Sequence, residues 1–229
     1  NVSAPATAGF MLGVQSPTAP AASLAAISDT GTPGDRLTSD NTPTLTGSGA
    51  TPGDSITVRD INGKVLATAV VQPDGTWSAT SQSALPDGVN ALQIIATDPF
   101  GNASPATPLS LTIDTQAPAV PAAVLAPASD SGVQGDGRTN DSTPTIQGGG
   151  ASPGDRITVT LPGTGEVLSA IVAGDGTWSV TPTRPLPDGT TGSAQVVASD
   201  AAGNTSGPAS VPLTIDLSAP SAQAAALAA

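Results

Sequence analysis

Short runs of alternating apolar and polar residues, separated by turn residues, extend along most of the chain. Ile56-Thr57-Val58 and residues 109–113 alternate with the period of two that is typical of a half-buried strand. Asn-Gly and Asp-Gly pairs between such runs tolerate positive φ in tight turns. In the first half of the chain the pattern predicts seven strands, at 24–27, 44–46, 56–59, 65–71, 76–79, 91–97 and 109–113.

The chain repeats itself once. Residues 40–44 (Asp-Asn-Thr-Pro-Thr) recur at 141–145 as Asp-Ser-Thr-Pro-Thr, and residues 74–78 (Asp-Gly-Thr-Trp-Ser) recur at 175–179. A period near one hundred residues is too long for a solenoid unit and matches a whole sandwich domain. We therefore predict an all-β fold, with two tandem immunoglobulin-like antiparallel β-sandwiches joined end to end.

The repeat also sets the expected domain boundaries. We expect residues 1–22 to be the last strand and linker of a preceding domain, because this segment resembles the end of the first repeat. Residues 23–115 form the first predicted domain, and 116–217 form a proline-containing linker and the second. Residues 218–229 would open the next linker, so we expect a piece of a longer array.

Composition excludes several classes of function. The formal net charge is −12 with six Lys and Arg, so a basic surface for nucleic acid is not expected. His, Cys and Tyr are absent, which removes the commonest general base and every thiolate. No apolar run approaches the length of a membrane span. We predict a monomeric, non-catalytic protein that binds no nucleic acid and does not insert into membranes.

Acidic residues supply the most informative chemistry. The chain has 17 Asp and one Glu, and three Asp lie within twelve residues of the loop after the first strand. A Ca²⁺ ion accepts six to eight oxygens and would offset the repulsion between such charges. Local capping of backbone amides is an equally open interpretation. The candidate ligands in the two repeats are Asp29, Asp35 and Asp40, and Asp130, Asp136 and Asp141.

Sandwich topology suggests a second kind of site. In such a sandwich, the loop between the second and third predicted strands (BC) and the loop between the last two (FG) lie at the end where the chain enters. Asp54 in the BC loop and Asp98 in the FG loop should therefore face a preceding domain. Asp155 and Asp200 should likewise face Asp114, which ends the last strand of the first repeat. We expect a cation shared by these three to stiffen the linker. The corresponding site on domain one, where Gln15 and Ser16 replace an acid, should be weaker or empty.

The combined motifs resemble bacterial immunoglobulin-like domains. The pattern that carries the resemblance is Ser-Asp-x-Gly, Asp-x-Thr-Pro-Thr, Asp-Gly-Thr-Trp-Ser, Leu-Pro-Asp-Gly, Asp-x-x-Gly-Asn and Thr-Ile-Asp, and it covers about residues 23–217. Such domains form extender arrays of large RTX-type adhesins secreted by type I systems. The resemblance implies an extracellular or cell-surface protein of the biofilm matrix, with Ca²⁺ at its loops and joints. It maps acidic ligands onto Asp29, Asp35, Asp40, Asp98, Asp114 and their second-repeat partners.

The resemblance implies an extender that projects a distal adhesive region. Its expected partners are neighbouring domains of the same chain, while a host or matrix ligand would bind through other regions. The second repeat departs from the first by placing Gly137-Arg138 where the first has Arg36-Leu37, exchanging an apolar loop anchor for a charge. An alternative function is a carbohydrate-binding module of a secreted hydrolase, which exposed aromatic residues on one sheet face would favour.

Overall fold

The computed structural model describes residues 15–219, which divide into two compact units with a boundary between Thr115 and Gln116. The segments expected to belong to neighbouring domains, 1–22 and 218–229, lie mostly outside the described residues. Every regular element between residues 15 and 219 is a β-strand, so this part of the chain offers no helix that could cross a membrane.

Domain 1 contains eight strands in two sheets. The three-stranded sheet has the order β1-β3-β6, and the five-stranded sheet has the order β2-β8-β7-β4-β5. All pairs are antiparallel except β2 with β8. The strands are β1 (Ala21–Leu24), β2 (Leu37–Thr38), β3 (Thr44–Ser48), β4 (Ser55–Asp60), β5 (Val65–Val70), β6 (Thr76–Thr80), β7 (Gly88–Thr97) and β8 (Thr107–Ile113).

Domain 2 repeats this architecture. Its sheets have the orders β9-β11-β14 and β10-β16-β15-β12-β13, and β10 pairs with β16 in parallel. The predicted fold class, two tandem immunoglobulin-like sandwiches, is confirmed. The strands are β9 (Ala122–Leu125), β10 (Arg138–Thr139), β11 (Ile146–Gly149), β12 (Arg156–Thr160), β13 (Val167–Ile171), β14 (Trp178–Val180), β15 (Thr191–Ser199) and β16 (Ala209–Ile215).

The predicted strands need correction in two places. The first strand spans Ala21–Leu24 rather than 24–27; Ile27 follows it in a turn and is 85% exposed. It therefore begins before residue 23, where we expected the domain to start. The predicted strand at 65–71 is β5, which pairs with β4 at the edge of the larger sheet. The two-residue strands β2 and β10 were missed, because a pair of residues carries no readable alternation.

Each domain has a core of its own, made from the inward-facing residues of its two sheets. In domain 1, Ile56 of β4, Ile94 of β7 and Ile113 of β8 are buried among the other aliphatic side chains. The corresponding positions of domain 2 are Ile157, Val196 and Ile215. No residue belongs to both clusters, so each sandwich has the hydrophobic core that a separately folding domain needs.

A buried tryptophan lies against a glycine in each core. Trp77 on β6 is opposite Gly47 on β3, and Trp178 on β14 is opposite Gly148 on β11. A Cβ atom on Gly148 would lie 2.8 Å from Trp178 Cζ2 and would overlap the carbonyl oxygen of Ala122 on the other neighbouring strand. The indole ring therefore occupies space that only a glycine at this position leaves free.

The departure at Gly137-Arg138 has a simple structural reason. Gly137 has a φ of 73°, and a Cβ there would lie 2.6 Å from the carbonyl oxygen of Pro212. Arg36 occupies the matching position of domain 1 at a φ of 63°. Leu37, which we expected to anchor the loop, is half-buried, whereas Arg138 at the matching place is exposed and pairs with Asp216.

We expect Gly148→Ala to destabilise domain 2 by about 2 kcal/mol or more, because overpacked cores force backbone and rotamer shifts. For a domain of this size the melting temperature should fall by about 10 °C. Gly174→Ala is the matched control, since its φ is not positive and its added Cβ meets no atom within 4 Å. Differential scanning calorimetry would measure both variants. An unchanged melting profile for Gly148→Ala would contradict the close packing.

Candidate functional site

The acid-rich loop of domain 1 connects β1 to β2 and then continues to β3. Its carboxylates accept hydrogen bonds from backbone N–H groups of the same segment, as capping side chains do. Domain 2 forms the same bonds in its own loop. The pairs in domain 1 are Asp29 with Gly34 at 2.6 Å, Asp35 with Leu37 at 2.8 Å and Asp40 with Thr42 at 2.9 Å.

Beneath the loop lies a buried hydroxyl network that the sequence analysis missed. Ser28 Oγ donates to Asp40 Oδ2 at 2.7 Å and accepts from the Thr44 N–H at 2.9 Å. Thr38 Oγ1 donates to the carbonyl oxygen of Ser28 at 2.5 Å. Both hydroxyl residues are buried. Their recurrence as Ser129 and Thr139 in the second repeat was the only available signal, and it was hidden among abundant Ser and Thr.

One carboxylate oxygen in each loop lacks any hydrogen-bond partner. These atoms, Asp29 Oδ1 and Asp130 Oδ1, are inaccessible to solvent, and Asp130 as a whole is only 6% exposed. A buried, ionised oxygen without a donor is costly, and a hard cation is the ligand that would compensate it. Asp130 also lines a cavity of about 110 Å³ together with Gly135 and Gly137. These loops therefore satisfy one chemical requirement of a Ca²⁺ site.

The acids of one loop do not converge. Within either described domain, no three acidic side chains form a group that could hold a metal ion together. Any cation at Asp29 or Asp130 would need its remaining oxygens from loop carbonyls or water. The predicted ligand sets Asp29/Asp35/Asp40 and Asp130/Asp136/Asp141 thus stay predictions, while local capping already accounts for one oxygen of each carboxylate.

Asp54 and Asp98 of domain 1 lie at one cleft. It has a volume of about 410 Å³ and is lined also by Gln15 and Ser16 of the entering chain. Asp54 is 3% exposed, and its Oδ2 accepts from the Thr51 N–H at 3.0 Å. The two acids and the entering segment are therefore neighbours, as sandwich topology led us to expect.

Asp98 is held by donors of its own loop. Its Oδ2 accepts from Asn102 Nδ2 at 2.7 Å, and its Oδ1 accepts from the backbone N–H of Phe100 at 2.9 Å and of Asn102 at 2.8 Å. The Asn102 side chain, followed by these backbone donors, lowers the pKa of Asp98 below its usual value. The carboxylate is thereby kept ionised and oriented at the cleft.

The matching acids of domain 2 have the same local partners. Asp155 is buried and accepts from the Ser152 N–H at 2.8 Å, and Asp200 accepts from Asn204 Nδ2 at 2.9 Å. In domain 1, the backbone N–H of Asp114 donates to Thr38 O at 2.9 Å. The predicted joint site of Asp114, Asp155 and Asp200 draws on both domains and stays a prediction.

Asp87 and Asp188 correct another expectation. Both precede glycine, and the sequence favoured local turn roles for them. Instead Asp87 Oδ1 accepts from the N–H and Oγ1 of Thr115, 28 residues away, at 3.1 and 2.9 Å. Asp188 likewise accepts from the Leu217 N–H at 2.8 Å. These side chains therefore bind the segment that follows the last strand of each domain.

Both domains match the same known protein family. A family model for the bacterial Ig-like domain matches residues 16–115 and again residues 117–217. No curated protein matches the chain at a significant level.

Among solved structures, the chain is 25% identical to a Ca²⁺-stabilized adhesin that helps an Antarctic bacterium reach out and bind ice. The match covers 87% of this chain and 49% of that one, with a TM-score of 0.43. A bacterial ice-binding adhesin of 1.5 MDa is 26% identical over 88% of this chain and 66% of its own, with a TM-score of 0.40. The chain thus spans about half of the first protein's length.

The turn acid Asp74 provides a test of charge in the capping bonds. Thr76 Oγ1 donates to Asp74 Oδ1 at 2.7 Å, and this bond, with that of the Thr76 N–H, lowers the pKa of Asp74. A lowered folded-state pKa stabilises the fold above the unfolded value, about 3.9, and this stability is lost as pH falls through the folded value.

We therefore expect Asp74→Asn, which keeps an acceptor, to be slightly less stable than the parent chain at pH 7. The difference should disappear toward pH 2. Urea unfolding at both pH values measures it, and Asp175→Asn should act alike because the pKa of Asp175 is lowered by Thr177 in the same way. A difference that persists in acid would show that packing, rather than charge, is responsible.

Proposed function

The chain belongs to the family of bacterial Ig-like domains, and on that basis we propose that it is a non-catalytic extender module of a bacterial cell-surface adhesin. In this role the domains supply length between the cell and a distal adhesive region that lies elsewhere in the protein. The module acts outside the cell, in adhesion and biofilm formation. Its partners are neighbouring domains of the same kind.

Tandem repetition of one complete sandwich supports a structural role. The same loops, caps and core positions occur in both domains, whereas a catalytic centre requires a unique combination of groups in one cleft. The acids that alone could serve catalysis are bound to backbone donors in the same way in both copies. The whole chain also lacks His, Cys and Tyr.

The alternative, a carbohydrate-binding module, has less support. Sugar-binding sites commonly offer exposed aromatic faces, but Trp77 and Trp178 are 1% and 4% exposed and belong to the cores. Phe100 is the one exposed aromatic residue between residues 15 and 219. A single phenylalanine at a loop does not make a stacking platform.

We further propose that Ca²⁺ binds the loops at Asp29 and Asp130 and stabilises each domain. The observation behind this is the pair of buried carboxylate oxygens without a donor, present at equivalent places in both copies. When bound, the ion supplies positive charge and further coordination within the loop. The chain supplies a preformed carboxylate, oriented by its second oxygen on the backbone of Gly34 or Gly135.

We expect Ca²⁺ at a few millimolar to raise the melting temperature by several degrees. A site with a Kd of about 10⁻⁴ M contributes roughly 2 kcal/mol at that concentration. Asp29→Asn should remove the Ca²⁺ effect from domain 1 only. With chelator present the same substitution should be neutral or stabilising, because it removes an uncompensated buried charge.

Asp74→Asn is the matched control, since its carboxylate lies in an exposed turn and is satisfied by Thr76. Calorimetry with Ca²⁺, with Mg²⁺ and with chelator separates a selective site from general screening of the acidic chain. Identical melting under all three conditions would refute calcium binding while leaving the structural role standing.

A further inference from the structure

Tension applied through the ends of the chain enters domain 1 ahead of β1 and leaves it after β8. It first meets the four-residue pairing of β1 with β3, and the parallel pair β2–β8 is the next connection on the load path. Leu37 pairs with Thr112 and Thr38 with Ile113. Because β2 would be pulled toward its N-terminus and β8 toward its C-terminus, parallel pairing means that the two strands are pulled past each other. Their hydrogen bonds would be loaded together rather than opened one after another.

Backbone hydrogen bonds on both sides of β2 join it to β8. Thr112 N donates to Arg36 O, and Asp114 N donates to Thr38 O, both at 2.9 Å. Domain 2 repeats them between β10 and β16, at 2.7 and 2.9 Å. A strand of two residues makes few such bonds, so the force at which the pair opens depends on how firmly β2 is tied to the rest of the sandwich.

The buried hydroxyl network provides that tie. Thr38 itself bonds to Ser28 O, and Ser28 Oγ joins Asp40 to the first residue of β3, Thr44. The Asp40 N–H in turn donates to Thr38 Oγ1 at 3.0 Å. The set Ser28, Thr38 and Asp40, which we name the latch, therefore closes the loop between residues 28 and 40 at its base.

Resting on the extender role proposed above, we propose that the latch ties the parallel pair into the load-bearing clamp of each domain. With the latch closed, tension arriving at Ser28 passes directly to β2 and β3 and bypasses the intervening loop. Opening the latch would release the loop, extend the domain and leave only the short β2–β8 ladder to resist shear. Ser129, Thr139 and Asp141 form the same latch in domain 2. This role requires no bound cation.

The polar burial in the two latches is consistent with this role. Ser28 and Thr38 are 2% and 0% exposed. Buried polar groups cost stability unless they are fully hydrogen-bonded, and apolar replacements of similar shape often stabilise as well. The same network occurs at the same place in both copies, on the strand that carries load. This placement fits a role in resisting tension better than a role in equilibrium stability alone.

Force spectroscopy on the complete chain, held by its two ends in chelator, tests the clamp. At constant force, the lifetime of domain 1 should fall by about tenfold in Ser28→Ala. This is the effect expected for a net loss of one hydrogen bond or slightly more. The second domain, which is unaltered, serves as an internal standard in the same trace.

Ser104→Ala is the matched control. Ser104 is also a buried serine that accepts one backbone N–H, from Ala96 at 3.0 Å, and donates one bond, to Pro105 O at 2.9 Å, but it lies outside the β2–β8 pair. Equilibrium unfolding should show similar losses of stability for Ser28→Ala and Ser104→Ala. The lifetime under load should fall only for Ser28→Ala.

Equal lifetimes of the two variants under load, or no change in Ser28→Ala, would overturn the proposal. If Ser28→Ala does not fold, Thr38→Val and the domain 2 pair Ser129→Ala and Ser206→Ala make the same comparison, because Ser206 repeats the bonds of Ser104. Because chelator is present throughout, the outcome is independent of whether Ca²⁺ binds the loops.

Discussion

The hydrogen bond from a loop N–H to an aspartate carboxylate is the interaction on which this structure depends. The chain contains 26 Gly and 23 Pro, so much of its backbone lies in turns, where strand partners cannot satisfy the polar groups. A short Asp side chain reaches an N–H two residues ahead, as at Asp35, Asp60 and Asp74. The longer Glu side chain does this less well, which explains a ratio of 17 Asp to one Glu.

These capped loops permit a core with few large residues. Each sandwich encloses aliphatic side chains and one tryptophan, and the tryptophan fits only because a glycine faces it on the neighbouring strand. The indole Nε1 atoms of Trp77 and Trp178 are buried and without hydrogen-bond partners. Packing of the large ring thus outweighs the cost of one unsatisfied donor in each domain.

The loop between the first and third strands holds both the proposed Ca²⁺ site and the latch. It carries the capped carboxylates and the buried, unpartnered oxygen at which we propose Ca²⁺, and its base carries the latch. Asp40 belongs to the latch through Oδ2 and caps Thr42 through Oδ1, so both of its oxygens are already occupied by donors. Asp29 differs because only one of its oxygens is used. The two roles are therefore assigned to different acids of one loop.

The sequence by itself determined the all-β class, the tandem repeat and most strand positions, because alternation and turn residues are local signals. It also placed Asp54 and Asp98 at one end, since sandwich topology dictates which loops are neighbours. Only the tertiary structure decided the two-residue strand β2, the burial of Ser28 and Thr38, and the reach of Asp87 to Thr115. Each of these depends on contacts between segments distant along the chain. A local pattern cannot record such contacts, and it therefore could not distinguish which carboxylate oxygens would find a donor.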